Sequence, residues 1–188
     1  MELPKRKQIR LQNYDYSQNG LYFITICTQY QAQVFWKPQA DIGLLCGKSS
    51  EEYRMPCDYR SQERVLSEYG KIVENEINHI DSIYDGCVAV DKYVIMPNHI
   101  HIIIKLDKNI SGSCFSENWR PKVAPTISRI VQQFKGAVTK KVGFHIWQKS
   151  FYDHIIRSEK EYLMIIKYIY ENPEKWEQDC YYDKEVQK

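Results

Sequence analysis

Two histidines, His99 and His101, flank Ile100 in a run rich in β-branched residues, HIHIIIKL. Side chains alternate faces along a strand, so the two imidazoles share one face and Ile100 takes the other. Two imidazoles on one face form a ready pair of metal ligands, suited to Mn, Zn, Fe and Ni and able to hold Mg. Paired histidines on a strand also occur with no metal, so a third ligand is needed. Tyr168 and Asn172 are four apart and therefore neighbours on one helix face. At about 100° per residue, Tyr162, Leu163, Ile166, Ile169 and Tyr170 cluster as the expected core side, Tyr168 falls roughly opposite, and Asn172 lies about 40° from Tyr168. Tyr170 thus has a packing role, and Tyr168 is left as the candidate for chemistry.

The elements that must position these residues follow from apolar periodicity. Residues 21–28 (LYFITICT) read as a buried strand, 87–96 and 99–106 as two strands joined by a Pro97-Asn98 turn, and 151–157 as a short strand. Residues 67–83 repeat apolar side chains at helical spacing behind the N-cap candidate Ser67. Residues 126–142 repeat them again, with Arg129, Lys135 and Lys140 off the apolar side. A third helix opens on Ser158 with Glu161 three residues on, a capping-box pattern, and is expected to stop at Pro173. The order matches a ferredoxin-like split β-α-β-β-α-β arrangement. The expected class is therefore α+β, an antiparallel sheet with helices on one face and the histidine motif on a central strand. One domain over 1–188 is expected, with an irregular insertion at 38–62 and a frayed polar tail at 178–188.

The chain has 188 residues, 43% hydrophobic and 27% charged, which excludes a disordered chain, a collagen-like repeat and a bare coiled coil. Apolar stretches such as 100–104 are too short to span a bilayer, and the basic N-terminus has no apolar run behind it, so a cytoplasmic protein with no membrane partner is expected. The six cysteines form no C-x-x-C pair and read as reduced thiols. Net charge is only +2, but residues 118–152 contain no Asp or Glu and carry Arg120, Lys122, Arg129, Lys135, Lys140, Lys141 and Lys149. A one-sided basic surface attracts phosphate backbones, although a solvated helix face can show the same run.

The strings YVIMPNHIHIIIK (93–105), IWQKSFYDHIIRSEKEY (146–162) and IIKYIYENPEKW (165–176) resemble the HUH single-tyrosine transposases. REP-associated tyrosine transposases are the nearest subgroup, and IRLQNYDYSQNGLYFITICT (9–28) is similar to that subgroup as well. The resemblance covers roughly 9–36 and 66–176. It implies a divalent metal, Mg²⁺ or Mn²⁺, held by His99, His101 and the amide of Asn172, with Tyr168 as nucleophile. It implies cleavage of single-stranded DNA, beside a hairpin or repeat, through a covalent 5′-phosphotyrosine that leaves a free 3′-hydroxyl. A homodimer is the wider family's default and a monomer is credible for the subgroup. Lys5, Arg6, Lys7, Arg10, Lys135, Lys140 and Arg157 are the candidate phosphate contacts. Trp147, Phe151 and Tyr152 could stack on bases, but aromatics in a short strand are more often core.

Three other readings compete. An RNA-recognition module would need an aromatic-rich signature that is missing here. A water-activating nuclease would call on carboxylates such as Asp91 and Asp153, for which no spacing argues. A domesticated relative of the same fold would bind nucleic acid without cutting it.

Overall fold

The computed structural model describes residues 14–38, 65–84, 86–107 and 125–182. The apolar runs form four strands, β1 Gly20–Cys27, β2 Val88–Ile95, β3 His99–Leu106 and β4 Tyr152–Ile156. They hydrogen-bond antiparallel in the order β2-β3-β1-β4, which puts the histidine strand in the centre of the sheet. The helices are α1 Glu68–Ile83, α2 Ile127–Val142 and α3 Glu159–Glu171. This is the expected α+β split arrangement.

Ser67 and Ser158 cap α1 and α3 as their spacing foretells, accepting from the backbone N–H of Gly70 and Glu161. Glu161 completes its part of the box one residue early. Its carboxylate takes the N–H of Arg157 at 2.7 Å and lies 2.6 Å from His154 Nε2. Pro173 does not stop the chain turning. It occupies the first turn of a short 3₁₀ helix, Asn172–Gln178, where its missing N–H costs no hydrogen bond.

Alternation splits the sheet into two apolar faces. Ile24, Ile26, Ile100, Ile102, Ile104 and Leu106 face α1 and α2, where they meet Val73, Ile77, Ile130, Phe134 and Val138. Phe23 and Ile103 face the other way and are covered by α3 through Ile166 and Ile169. The helices therefore lie on both faces, two and one, rather than all on one. A β-bulge between Val90 and Lys92 lets Asp91 accept from the Tyr162 hydroxyl at 2.7 Å, which ties α3 to strand β2.

Where α1 crosses the chain entering from β1, space is very tight. A Cβ on Gly70 would stand 2.3 Å from the backbone oxygen of Phe35, whereas one on Gly136 in α2 would meet nothing within 4 Å. Gly70→Ala is therefore expected to destabilise the fold by roughly 2–4 kcal/mol in urea unfolding. Gly136→Ala should stabilise it by up to about 1 kcal/mol through helix propensity. Equal effects at the two sites would refute this packing.

Cys27 and Cys180 are free, as expected of reduced thiols. Cys87 departs from that expectation and is disulfide-bonded, because linear spacing does not reveal which distant cysteines meet. No helix among the described residues is long and apolar enough to cross a membrane.

Candidate active site

The α3 face of the sheet carries the polar residues. In the β1–β3 register Cys27 opposes His99, Thr25 opposes His101 and Phe23 opposes Ile103, so these side chains line one face. His99 and His101 are both buried, as strand alternation requires. Their Nε2 atoms face each other at 3.0 Å. Each Nδ1 is engaged from behind, His101 by Thr25 Oγ1 at 2.8 Å and His99 by Asn98 Oδ1 at 2.8 Å. Phe23 stacks on His101 at a centroid distance of 5.2 Å and fixes the ring's tilt.

Tyr168 reaches this pair from α3. Its hydroxyl lies 3.2 Å from His101 Nε2, and its ring meets Phe23 and His101 edge-on. The ring is 41% exposed, so one side stays open to a ligand. The helix wheel placed part of this face correctly: Tyr162, Ile166 and Ile169 pack on the sheet, joined by Ile165, whereas Leu163 and Tyr170, also assigned to the core, are 57% and 65% exposed. Tyr168 flanks that contact instead of opposing it. Tyr170 points outward and is excluded from the site for a different reason than expected.

Asn172 is buried one turn beyond Tyr168; its Nδ2 makes no close hydrogen bond, yet it stands near enough to the Tyr168 hydroxyl to favour that group's ionised form, against burial and Asp179. Beyond it residues 176–182 turn back over the histidines, so 178–182 are not the frayed tail expected, and 183–188 lie outside the described residues. Tyr181 packs on His99 at 4.5 Å between centroids and Trp176 at 6.0 Å. Asp179 brings a carboxylate oxygen to the imidazole nitrogens, all three ligand atoms lying within 4.8 Å of one another. Asp179 escaped sequence reasoning because a single aspartate in a polar tail has no spacing to mark it.

Burial pushes His99 down to about 4, with Asp179 opposing the shift, and drives His101 well below the ordinary histidine value, with His99 adding to the effect. Both rings are therefore neutral at pH 7 and offer lone pairs, the state a metal requires. Burial, then the charge of Asp179, pushes the Tyr168 hydroxyl up to about 12. Two imidazole nitrogens and a carboxylate oxygen form a donor set that fits a divalent cation.

The model of the family described as "Transposase IS200 like" matches residues 16–172. The chain belongs to that family. An uncharacterized protein of Haemophilus influenzae is 33% identical over 189 residues, covering 94% of this chain and 93% of its own length. A REP-associated tyrosine transposase of Escherichia coli K12 is 35% identical over 91 residues, about half of either chain (48% and 47%). Among solved structures, a REP-associated tyrosine transposase bound to a REP hairpin aligns with TM-score 0.54 at 21% identity, over 89% of this chain and 74% of its own. That likeness is one of fold.

In this IS200-like chain the structure gathers His99, His101, Asp179 and Tyr168 at one place, with Asn172 buried at the end of the Tyr168 helix. Lys135 is half-buried, its ammonium donating to the carbonyl oxygens of Gln148, Lys149 and Ser150, so it braces the loop before β4. Lys140 and Arg157 are exposed, and Lys5, Arg6, Lys7 and Arg10 lie outside the described residues. Trp147 and Phe151 belong to the two-helix core, and Tyr152 is exposed. Asp153 pairs with Ile24, whose side chain faces α1 and α2, so it points away from the histidines. Asp91 is engaged by Tyr162.

Proposed function

We propose that this transposase-family chain nicks and rejoins single-stranded DNA, with Tyr168 as the nucleophile. The observation that carries the reading is the tyrosine hydroxyl 3.2 Å from one of two facing, buried, neutral imidazoles. His99 and His101 would hold a divalent cation, Mg²⁺ or Mn²⁺, with Asn172 or Asp179 completing the set. When bound, the cation supplies Lewis-acid polarisation of a non-bridging phosphate oxygen. Tyr168 attacks phosphorus, forming the Oη–P bond while the P–O3′ bond breaks. The phenol loses a proton and the departing 3′-oxygen takes one up, leaving a 5′-phosphotyrosine and a free 3′-hydroxyl. Because the phosphodiester energy is kept in the tyrosine ester, a second 3′-hydroxyl can reverse the step without a nucleotide cofactor.

Single-stranded DNA beside a hairpin is the substrate class that the hairpin-bound relative supports. Lys140, Arg157 and the Lys5-Arg6-Lys7-Arg10 arm are proposed as phosphate contacts. Lys135, already committed to three carbonyl oxygens, is the least available of the set. The test is a denaturing gel with hairpin-flanked single-stranded DNA labelled on its 3′ side. A labelled protein–DNA adduct that forms with Mn²⁺ and not with EDTA supports the reading. Binding with no adduct favours a non-cleaving relative, and cleavage with no adduct favours activated water.

Asn172 provides a separate check. A buried amide nitrogen without a close partner costs about 1–3 kcal/mol, so Asn172 adds little to stability. Asn172→Ala should leave the melting temperature unchanged or raised while weakening Mn²⁺ binding by at least about tenfold. Calorimetric titration and a thermal melt read both quantities. A lower melting temperature with unchanged Mn²⁺ affinity would remove Asn172 from the ligand set.

A further inference from the structure

The turn residue Asn98, which no part of the reaction above uses, is 1% exposed and lies between three backbone segments. Its Nδ2 donates to Tyr181 O at 2.8 Å and to Gln31 O at 3.2 Å. Its own carbonyl accepts from the Thr28 N–H at 2.8 Å and from Thr28 Oγ1 at 2.9 Å. Its Oδ1 lies 2.8 Å from His99 Nδ1. These contacts fix the amide's orientation. Two backbone carbonyls accept only, so the NH₂ group must face them and the oxygen must face His99. An amide oxygen also only accepts, so His99 Nδ1 must carry a proton. A neutral imidazole has one N–H, and His99 Nε2 is therefore bare.

We propose that Asn98 is a positioning residue that locks His99 in its Nδ1–H form, reserving the Nε2 lone pair for a divalent cation. Without that lock the hydrogen bond between the two imidazoles can run in either direction. At 3.0 Å, His99 Nε2–H could donate to His101 Nε2, leaving His99 without a lone pair at the site. Thr25 imposes no such choice on His101, because a hydroxyl both donates and accepts. Control is therefore one-sided: His99 is fixed and His101 is free to adapt. Outer partners of this kind typically alter metal affinity by about 10–100-fold. The metal half of the inference rests on the proposed function; the tautomer half stands on Asn98 alone.

The experiment compares wild type, Asn98→Ala and Asn98→Asp. Both variants lose the donors to Gln31 O and Tyr181 O, but only Asp keeps an acceptor toward Nδ1. Long-range ¹H–¹⁵N spectra of ¹⁵N-labelled protein in EDTA, with His99 assigned through His99→Gln, read the tautomer directly. Nδ1–H is expected in wild type and in Asn98→Asp, and a shift toward Nε2–H in Asn98→Ala. Mn²⁺ affinity by electron paramagnetic resonance should fall about 10–100-fold in Asn98→Ala and stay within about threefold in Asn98→Asp. An Nε2–H His99 in wild type, an unshifted tautomer in Asn98→Ala, or an Asp variant that behaves like Ala would each overturn the proposal. If the tautomer moves and Mn²⁺ affinity does not, the tautomer lock stands, but its assignment to cation binding and the proposed metal site fail together.

Discussion

In the hairpin-cleavage assay, Tyr168→Phe is expected to give no covalent adduct and to cut strand cleavage by at least about 10⁴-fold, whereas Tyr170→Phe should stay within about threefold of wild type. The substitution removes one hydroxyl and keeps the ring that packs edge-on against Phe23 and His101. The ring is already partly open to solvent, so no cavity forms, and the melting temperature should move little. The loss is therefore chemical. Tyr170 is the proper control because it sits two residues away on the same helix and is more exposed. It shares α3's dynamics and none of its contact with the histidines. Equal loss in both variants would mean that the helix as a whole, and not one hydroxyl, carries the activity.

As the proposed nucleophile, the Tyr168 hydroxyl needs help. With its pKa pushed up to about 12, the isolated phenol is a weaker source of phenolate at pH 7 than a free tyrosine. Burial and Asp179 both act against ionisation. On the proposed function, a cation held by the imidazole pair would reverse that balance across 3.2 Å. Activation of Tyr168 would then depend on occupancy of the site, with the tyrosine kept protonated otherwise.

Strand alternation was enough to put His99 and His101 on one face, because the period of two is a property of the extended backbone and is independent of what packs there. Ser67 and Ser158 likewise revealed their helix starts by local chemistry. The facing of α3 was legible only in part. Tyr162, Ile166 and Ile169 pack on the sheet as expected, but Leu163 and Tyr170, apolar yet exposed, widened the expected face away from Ile165. Lys160 and Lys167, one on each side of Leu163 and Met164, were the available sign of an outward stripe. Helices on both faces were not expected, although the central strand HIHIII, buried on both sides, is more apolar than a one-sided sandwich needs and was the available sign. Asp179 and Tyr181 were out of reach altogether. They meet His99 only because Asn172–Gln178 continues as a 3₁₀ turn past Pro173, and composition marked 178–188 as tail.

The imidazole pair makes the second large prediction, with opposite signs for function and for acid stability. His99→Gln/His101→Gln should abolish Mn²⁺ binding at millimolar metal and remove adduct formation. In EDTA it should also flatten the fall of stability with acid. Both folded histidines titrate far below the unfolded value of about 6.5, His99 at about 4. Below pH 6.5 the unfolded chain therefore binds more protons than the native one, and native stability falls as pH drops from 6.5 toward 4. Each buried histidine contributes at most about 1.4 kcal/mol per pH unit in that window, so the pair's part between pH 6.5 and pH 5 is bounded at about 4 kcal/mol. Urea unfolding of the metal-free protein at pH 7, 6 and 5 measures the slope, and the double variant should lose most of it. Saturating Mn²⁺ should shield wild type from the same loss, because a cation on Nε2 holds each ring neutral. If the two proteins keep parallel acid slopes, the imidazoles are not the buried neutral pair from which the metal chemistry has been argued.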